Sequence, residues 1–347
     1  MLRDHWYVAA WSDQVGRTPL ARTILGEDLL LFRTKSGDAV ALENRCAHRR
    51  LPLSAGRLRG DEIECGYHGL VYDRNGRCTR IPGQAPPRDF GVKAFPLLER
   101  DQFVLVWMGD PARADPAKAI SFPKLSNSGW GVTKVHLRIA GSHLLILDNL
   151  LDLSHVAYVH GTTIGNAPVA EQAAVKFSRG DGMVRVTRDM YSVPPSRTYA
   201  EFGTTDGIFD RWQVSEFRPP GYFLINNGSG PCGWQPSDGS SRLDTQGAWG
   251  FQVYHCITPE TATTSHQFWA LAHEQSAVPT QAREEFYRQC HQVVLEDVVV
   301  YEAQQRSLDT DPAGASAEDV RSRVAIEADR GLLMGRRILE EMRAAAA

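Results

Sequence analysis

Two short stretches carry the residues best suited to hold a metal. CAHRRLPLS, residues 46–54, sets Cys46 and His48 one residue apart; CGYHGL, residues 65–70, sets Cys65 and His68 two residues apart. The combined pattern is C-x-H-x16-C-x2-H, with each pair in a loop at a strand end. Three readings compete. Chance juxtaposition does not explain two tight pairs so close together. Structural zinc favours pairs of like residues, Cys with Cys and His with His, whereas each pair here is mixed. A Rieske [2Fe–2S] cluster fits best, because two cysteines ligate one iron and two histidines the other. Mixed pairs on two facing loops deliver that set, and the centre would act as a one-electron relay.

A relay needs a destination, and DNLLDLSHVAYVHGTTIG offers one. His155 and His160 are five residues apart, about 140° on an ideal helix, so one uninterrupted helix cannot aim both at one atom. The helix must distort near residue 157, as a π-bulge would allow, or end at His160, as the following Gly161 suggests. Asp152 lies three residues before His155, on the same helix face, where its carboxylate could accept the free ring N–H. Far along the chain, QVVLEDVVVYEAQQR offers Glu296, Asp297 and Glu302. Asp297 precedes three valines and so reads as facing a buried side, where a carboxylate needs a partner such as a metal.

These motifs resemble those of the Rieske non-haem iron oxygenases. Asn149, Asp152, His155 and His160 match the pattern N-x2-D-x2-H-x4-H position by position. WYVAAW, IPGQ, VWMGDP and TPETATTSH extend the likeness over nearly the whole chain. It is to the vanillate O-demethylase oxygenase subfamily, which includes dicamba O-demethylase and toluenesulfonate methyl-monooxygenase. Neither cluster loop carries the extra cysteine of the respiratory Rieske proteins. The resemblance implies a cluster on Cys46, His48, Cys65 and His68. It implies a mononuclear Fe(II) on a facial triad of His155, His160 and Asp297, with Asn149 and Asp152 as catalytic residues. His255, and Asn226 or Asn227, are the expected substrate contacts; an ordinary strand histidine is the competing reading of His255. The resemblance also implies a homotrimer in which Asp152 bridges His155 to His68 of the next subunit. The partner it implies is a ferredoxin reductase with flavin and its own [2Fe–2S] centre, which takes electrons from NAD(P)H.

The expected reaction is O2-dependent O-demethylation of a methoxylated aromatic acid such as vanillate, with release of formaldehyde. Hydroxylation of a methyl group on an aromatic sulfonate, or N-demethylation, is the alternative. A Rieske electron carrier without catalysis is a remote one, since a carrier needs neither the length nor the second metal motif. Arg45, Arg49 and Arg50 around the first ligand pair read equally as a solvated loop or as a basic collar for an acidic electron donor.

The elements that must position these residues follow from local pattern. LLLFRTKSGDAVALEN, LVYDRNGRCTRI and FPLLERDQFVLVWMGD read as hairpins, the second around Asn75-Gly76. Residues 109–131, rich in Pro, Gly, Asp and Ser, read as a connector. A helix is expected over 142–161, then strands over about 172–273, then a helical tail. The fold class is α+β: an N-terminal all-β Rieske domain, residues 1–118, and a helix-grip catalytic domain, residues 119–347.

Bulk properties agree with such an enzyme. The 347 residues are 42% hydrophobic and 23% charged, with 41 acidic and 38 basic side chains and a net charge of −3. There is no global basic field for nucleic acid. The N-terminus lacks a secretory pattern, and HLLILDNLLDL is interrupted by Asp148 and Asp152, so no membrane span is expected and cytoplasm is the default. The six cysteines do not read as a disulfide framework; Cys78, Cys232, Cys256 and Cys290 are expected as small buried hydrophobes.

Overall fold

The computed structural model describes residues 1–203, 207–233, 247–317 and 326–346. Part of the stretch NNGSGPCGWQPSDG, residues 226–239, lies outside them. The chain forms two compact units, Met1–Pro123 with Thr258–Thr261, and Lys124–Ile257 with Ala262–Ala347. The division falls inside the connector. There Asp110 and Asp115 each cap a short 3-10 turn that begins with proline, accepting from the amides of Ala112 and Ala117. An Asp-Pro pair suits such starts, because proline lacks the N–H that a first turn would leave unpaired.

The first unit contains ten strands: β1 (His5–Trp11), β2 (Leu20–Ile24), β3 (Glu27–Arg33), β4 (Ala39–Glu43), β5 (Arg57–Arg59), β6 (Glu62–Glu64), β7 (Val71–Tyr72), β8 (Cys78–Arg80), β9 (Leu97–Arg100) and β10 (Phe103–Met108). They form three small antiparallel sheets, ordered β1-β10-β9, β2-β3-β4 and β5-β6-β7-β8. The three hairpins read from sequence are β3–β4, β7–β8 and β9–β10. One core cluster, with Leu30, Phe32, Leu42, Ile63 and Tyr72, includes Cys46 and Cys65.

The second unit is a seven-stranded antiparallel sheet with helices. Its strands are β11 (Trp130–Ile139), β12 (Ala174–Gly180), β13 (Met183–Val193), β14 (Phe209–Arg218), β15 (Tyr222–Gly230), β16 (Trp249–Pro259) and β17 (Ser265–Glu274), ordered β11-β17-β16-β15-β14-β13-β12. Its helices are α1 (His143–Leu151), α2 (Val156–Val159), α3 (Ala167–Glu171), α4 (Arg197–Phe202), α5 (Arg283–Asp309) and α6 (Asp329–Ala346). The α+β class is as expected. Among the described residues, no helix is long and apolar enough to cross a membrane.

The helix expected over 142–161 is broken. Helix α1 stops at Asp152, whose φ of −120° and ψ of 91° are extended; a 3-10 turn, Leu153–His155, and the single turn of α2 follow. Asp152 causes the restart, because its carboxylate accepts the Ser154 amide at 2.9 Å and caps the new turn. His160 is the C-cap of α2, so of the two ways to bring the histidines together, ending at His160 is the one used.

Helix α6 holds α1 in place. Gly331 and Gly335 face α1 so closely that a Cβ at Gly331 would lie 2.7 Å from the Leu151 carbonyl oxygen. Arg336, next along, donates to both carboxylate oxygens of the half-buried Asp148, at 2.8 Å to Oδ1. Burial pushes the Asp148 carboxyl up, partly offset by Arg336.

Candidate metal centres and the substrate cavity

In the first unit, Cys46 and His48 sit between β4 and β5, and Cys65 and His68 between β6 and β7. The two loops are built alike. The Cys46 amide donates to Leu51 O at 2.9 Å and the Arg50 amide returns to Cys46 O at 2.9 Å; the Cys65 amide donates to Leu70 O at 2.8 Å and the Gly69 amide returns to Cys65 O at 3.1 Å. The fourth residue after each cysteine takes a left-handed backbone, φ 60° at Arg50 and 68° at Gly69. Glycine adopts that conformation without strain; Arg50 holds it against its Cβ.

The cysteines are 2% exposed and neighbour each other, while His48 and His68 lie at the surface with ring centroids 4.6 Å apart. A thiolate pair inside and an imidazole pair outside match two irons with one pair each, and not one tetrahedral ion. Burial pushes the Cys65 thiol up, while the amides of Tyr67 and His68 donate to it and favour thiolate. The buried Tyr72 hydroxyl lies 3.1 Å from Cys46 Sγ. Around this site Arg45 is paired with Asp28 at 2.9 Å, leaving Arg49 and Arg50 as the exposed members of the expected collar.

In the second unit, His155, His160 and Asp297 converge, each offering a ligand atom within 4.8 Å of the others. Asp297 belongs to the inward stripe of α5, with Cys290, Val294 and Tyr301 at helical i,i+3 and i,i+4 spacing. That stripe places it, whereas Val299 of the valine run is 66% exposed. Asp297 Oδ1 lies 3.5 Å from His155 Nε2 and 3.2 Å from His160 Nε2. Ligands about 2.1 Å from one ion and about 90–110° apart are separated by roughly 3.0–3.4 Å, so the distance from the carboxylate to each imidazole is close to that of a facial triad.

Both histidines are oriented through Nδ1. His155 Nδ1–H donates to the Asp152 backbone oxygen at 2.6 Å, and His160 Nδ1–H donates to Glu296 Oε2 at 2.7 Å. Each Nε2 lone pair therefore faces the shared point. For Asp152 this corrects the expectation: its main chain, and not its carboxylate, holds His155. Asn149 Nδ2 donates to Asp297 Oδ1 at 3.3 Å, and the buried Tyr301 hydroxyl donates to Asn149 Oδ1 at 3.0 Å. Glu302, the third acid considered on this helix, instead accepts the Ala140 amide at 3.1 Å.

Burial depresses the His155 imidazole, against Asp297, which raises it. At His160 burial also pulls down, but Asp297 and Glu296 outweigh it and leave the group raised. Burial pushes Asp297 up, and the two imidazoles more than offset this, so the carboxyl is held below its ordinary range. The donor set is thus an anionic carboxylate facing two imidazoles, suited to a divalent ion.

A cavity opens onto the triad. Its walls are largely apolar, among them Leu150, Phe251, Val253, Trp269 and Val294, with Gln213, Asn227 and His255 as polar points. His255 is where the sequence placed it. Asn226 is not: alternation along β15 turns it to the other face, where it accepts from Gln252 at 2.6 Å, and Asn227 takes the cavity position. Gly165, just beyond His160, packs its backbone on α2; a Cβ there would lie 1.9 Å from Val156 O and 2.9 Å from His160 O. Of the cysteines expected in the core, Cys78, Cys256 and Cys290 are buried and Cys232 is exposed.

Comparison with known proteins agrees with both halves. Residues 5–96 match the Rieske [2Fe-2S] domain, and residues 139–345 match the vanillate O-demethylase oxygenase C-terminal domain. The chain is 35% identical to the toluene-4-sulfonate monooxygenase system iron-sulfur subunit of Comamonas testosteroni, over 98% of this chain and 96% of that protein. It is 32% identical to the vanillate O-demethylase oxygenase subunit of a Pseudomonas species, over 99% of this chain and 95% of that one. The crystal structure of dicamba monooxygenase bound to 3,6-dichlorosalicylic acid superimposes with a TM-score of 0.89 at 28% identity, covering 100% of this chain and 99% of that one.

Proposed function

Because the chain belongs to the vanillate O-demethylase oxygenase family of Rieske monooxygenases, we propose that it oxidises the methoxy carbon of an aromatic acid and releases formaldehyde. Membership makes it the oxygenase component of a multicomponent system, carrying a Rieske cluster and a mononuclear iron. When bound, the cluster supplies single electrons and the iron supplies the oxygen chemistry that attacks an unactivated C–H bond. In this reading Cys46, His48, Cys65 and His68 hold the cluster, and His155, His160 and Asp297 hold the iron.

The chain's own residues do the rest. Glu296 and the Asp152 carbonyl fix the imidazoles, Asn149 and Tyr301 fix the carboxylate, and the three residues would hold an ion beside the cavity they line. Leu150, Phe251 and Trp269 exclude water around an aromatic ring. His255 contacts the acid group and so fixes which substituent faces the triad. A methyl ether hydroxylated on its methyl carbon is a hemiacetal, which collapses to a phenol and formaldehyde. Electrons come from NAD(P)H through a flavin- and [2Fe–2S]-bearing reductase. The assembly is a cytoplasmic homotrimer, with Asp152 between His155 and the neighbouring cluster.

The observation that carries this reading is the apolar cavity placed between His255 and the triad. A second reading, hydroxylation of a methyl group on an aromatic sulfonate, is favoured by the 35% identity to the toluene-4-sulfonate subunit. With a surrogate reductase and NADH, formaldehyde release from a panel of methoxybenzoates supports the first. No formaldehyde from any of them, with a benzylic alcohol from toluene-4-sulfonate, moves the assignment to the second.

A further inference from the structure

His255 and Gln267 lie on the adjacent strands β16 and β17, on the inner face of the sheet, and both are buried. Along β17, Gln267 shares its face with Trp269 and Leu271, which line the cavity. Gln267 does not line it; it reaches sideways, its Nε2 lying 2.7 Å from His255 Nδ1. In this orientation the amide N–H donates and Nδ1 accepts, while Gln267 Oε1 stays buried without a partner among the described residues. The neutral ring then carries its single proton on Nε2. Burial pushes the His255 pKa down to about 4, so the ring is neutral at physiological pH. Among the described residues Nε2 has no partner, while the ring lines the cavity. The opposite amide orientation would make Nδ1 the donor and turn a bare Nε2 lone pair to the cavity. The two arrangements select opposite substrates.

We propose that Gln267 is a positioning residue that sets the tautomer of His255, so that the cavity presents a fixed Nε2–H and selects a substrate group that accepts a hydrogen bond, the carboxylate or sulfonate of an organic acid. This rests on the reading of His255 as the acid-group contact. A neutral donor on the cavity wall discriminates without burying a second charge beside the iron site. An oxyanion makes a charge-assisted bond to it, whereas an aromatic amine, whose lone pair is drawn into its ring, is a poor acceptor and meets it mainly proton to proton.

The test is calorimetric binding to the holoenzyme and its variants. The probes are 4-methoxybenzoate, 4-methoxybenzaldehyde as a neutral acceptor, and 4-methoxyaniline as a neutral donor. Gln267→Glu gives Nδ1 an acceptor and so favours, in the neutral ring, Nδ1–H with Nε2 as an acceptor. The expected result is a loss of about 10- to 100-fold for the aldehyde and a gain for the aniline, a reversal that charge repulsion cannot produce with neutral probes. Gln267→Leu, which frees both tautomers, should weaken the two acceptor probes less than Gln267→Glu does. Equal changes for acceptor and donor probes overturn the proposal, as does wild-type affinity in both variants. His255→Ala separates the underlying reading: if it binds 4-methoxybenzoate like the wild type, His255 does not contact the acid group. If it weakens binding while the Gln267 variants do not, the contact stands and the tautomer assignment fails.

Discussion

Removing Glu296 should loosen the iron without touching the cluster. His160 is 1% exposed, and its Nδ1–H has Glu296 Oε2 at 2.7 Å as its acceptor. Truncation in Glu296→Ala leaves that N–H buried without a partner, at a cost of about 1–3 kcal/mol. The carboxylate also makes the imidazole a stronger ligand, and loss of such an outer partner weakens metal binding by about 10- to 100-fold, or about 1.4–2.8 kcal/mol. The two estimates agree. Glu296 itself is 19% exposed, so water recovers part of the loss and the lower half of the range is expected. Glu296→Gln keeps an acceptor oxygen and loses the charge; since charge-assisted bonds are roughly twice as strong as neutral ones, it should fall about midway. The assay is ferrous-ion affinity by chelator competition, with the visible absorption of the cluster as internal control. Native iron affinity in Glu296→Ala, with His160→Ala losing its iron, would refute the reasoning. Loss of cluster absorption alongside iron would show general misfolding instead.

Other consequences are open to measurement. Tyr72→Phe removes a hydroxyl 3.1 Å from Cys46 Sγ, and because hydrogen bonds to the sulfurs help set the potential, the cluster's midpoint should move down; an unchanged midpoint would show that the contact carries no electronic weight. The His143 ring is pushed down to about 3, first by burial and then by the charges of Arg343 and Arg336, and its Nδ1 has no partner among the described residues. A folded-state pKa below the unfolded value of about 6.5 means full stability above that pH and a loss of up to about 1.4 kcal/mol per unit as pH falls from 6.5 toward 3. His143→Leu should therefore flatten the fall of Tm between pH 7 and 5, and an unchanged slope would count against this. Gly165→Ala puts a Cβ 1.9 Å from Val156 O, so α2 and His160 must shift, with about 1–3 kcal/mol lost from Tm measurements and iron retained less tightly.

Much of the site was legible because its signals are local. The cluster loops announce themselves by mixed ligand pairs, and the first unit's hairpins by turns such as Ser36-Gly37-Asp38 and Asn75-Gly76. The histidines of the second centre were readable with a constraint attached, since five-residue spacing forces the helix to end or bend. Which of these happens, and that α1 breaks at Asp152, depends on how the Asp152 carboxylate caps the next turn. Asn226 and Asn227 are adjacent, so only the register of β15 against its neighbours decides which faces the cavity. Glu296 was a rejected ligand candidate in the sequence; its role as the partner of His160 emerges only when α5 is laid beside α2. Gln267 and Tyr301 gave no signal at all, because a buried glutamine and a helical tyrosine look the same whether they fill space or orient a neighbour.

The central claim, that Asp297 completes an iron site with His155 and His160 separate from the cluster, is tested most directly by iron content in Asp297→Ala. The expected result is one iron fewer per chain, unchanged cluster absorption and no oxidised product. Full iron content with retained product formation would contradict it.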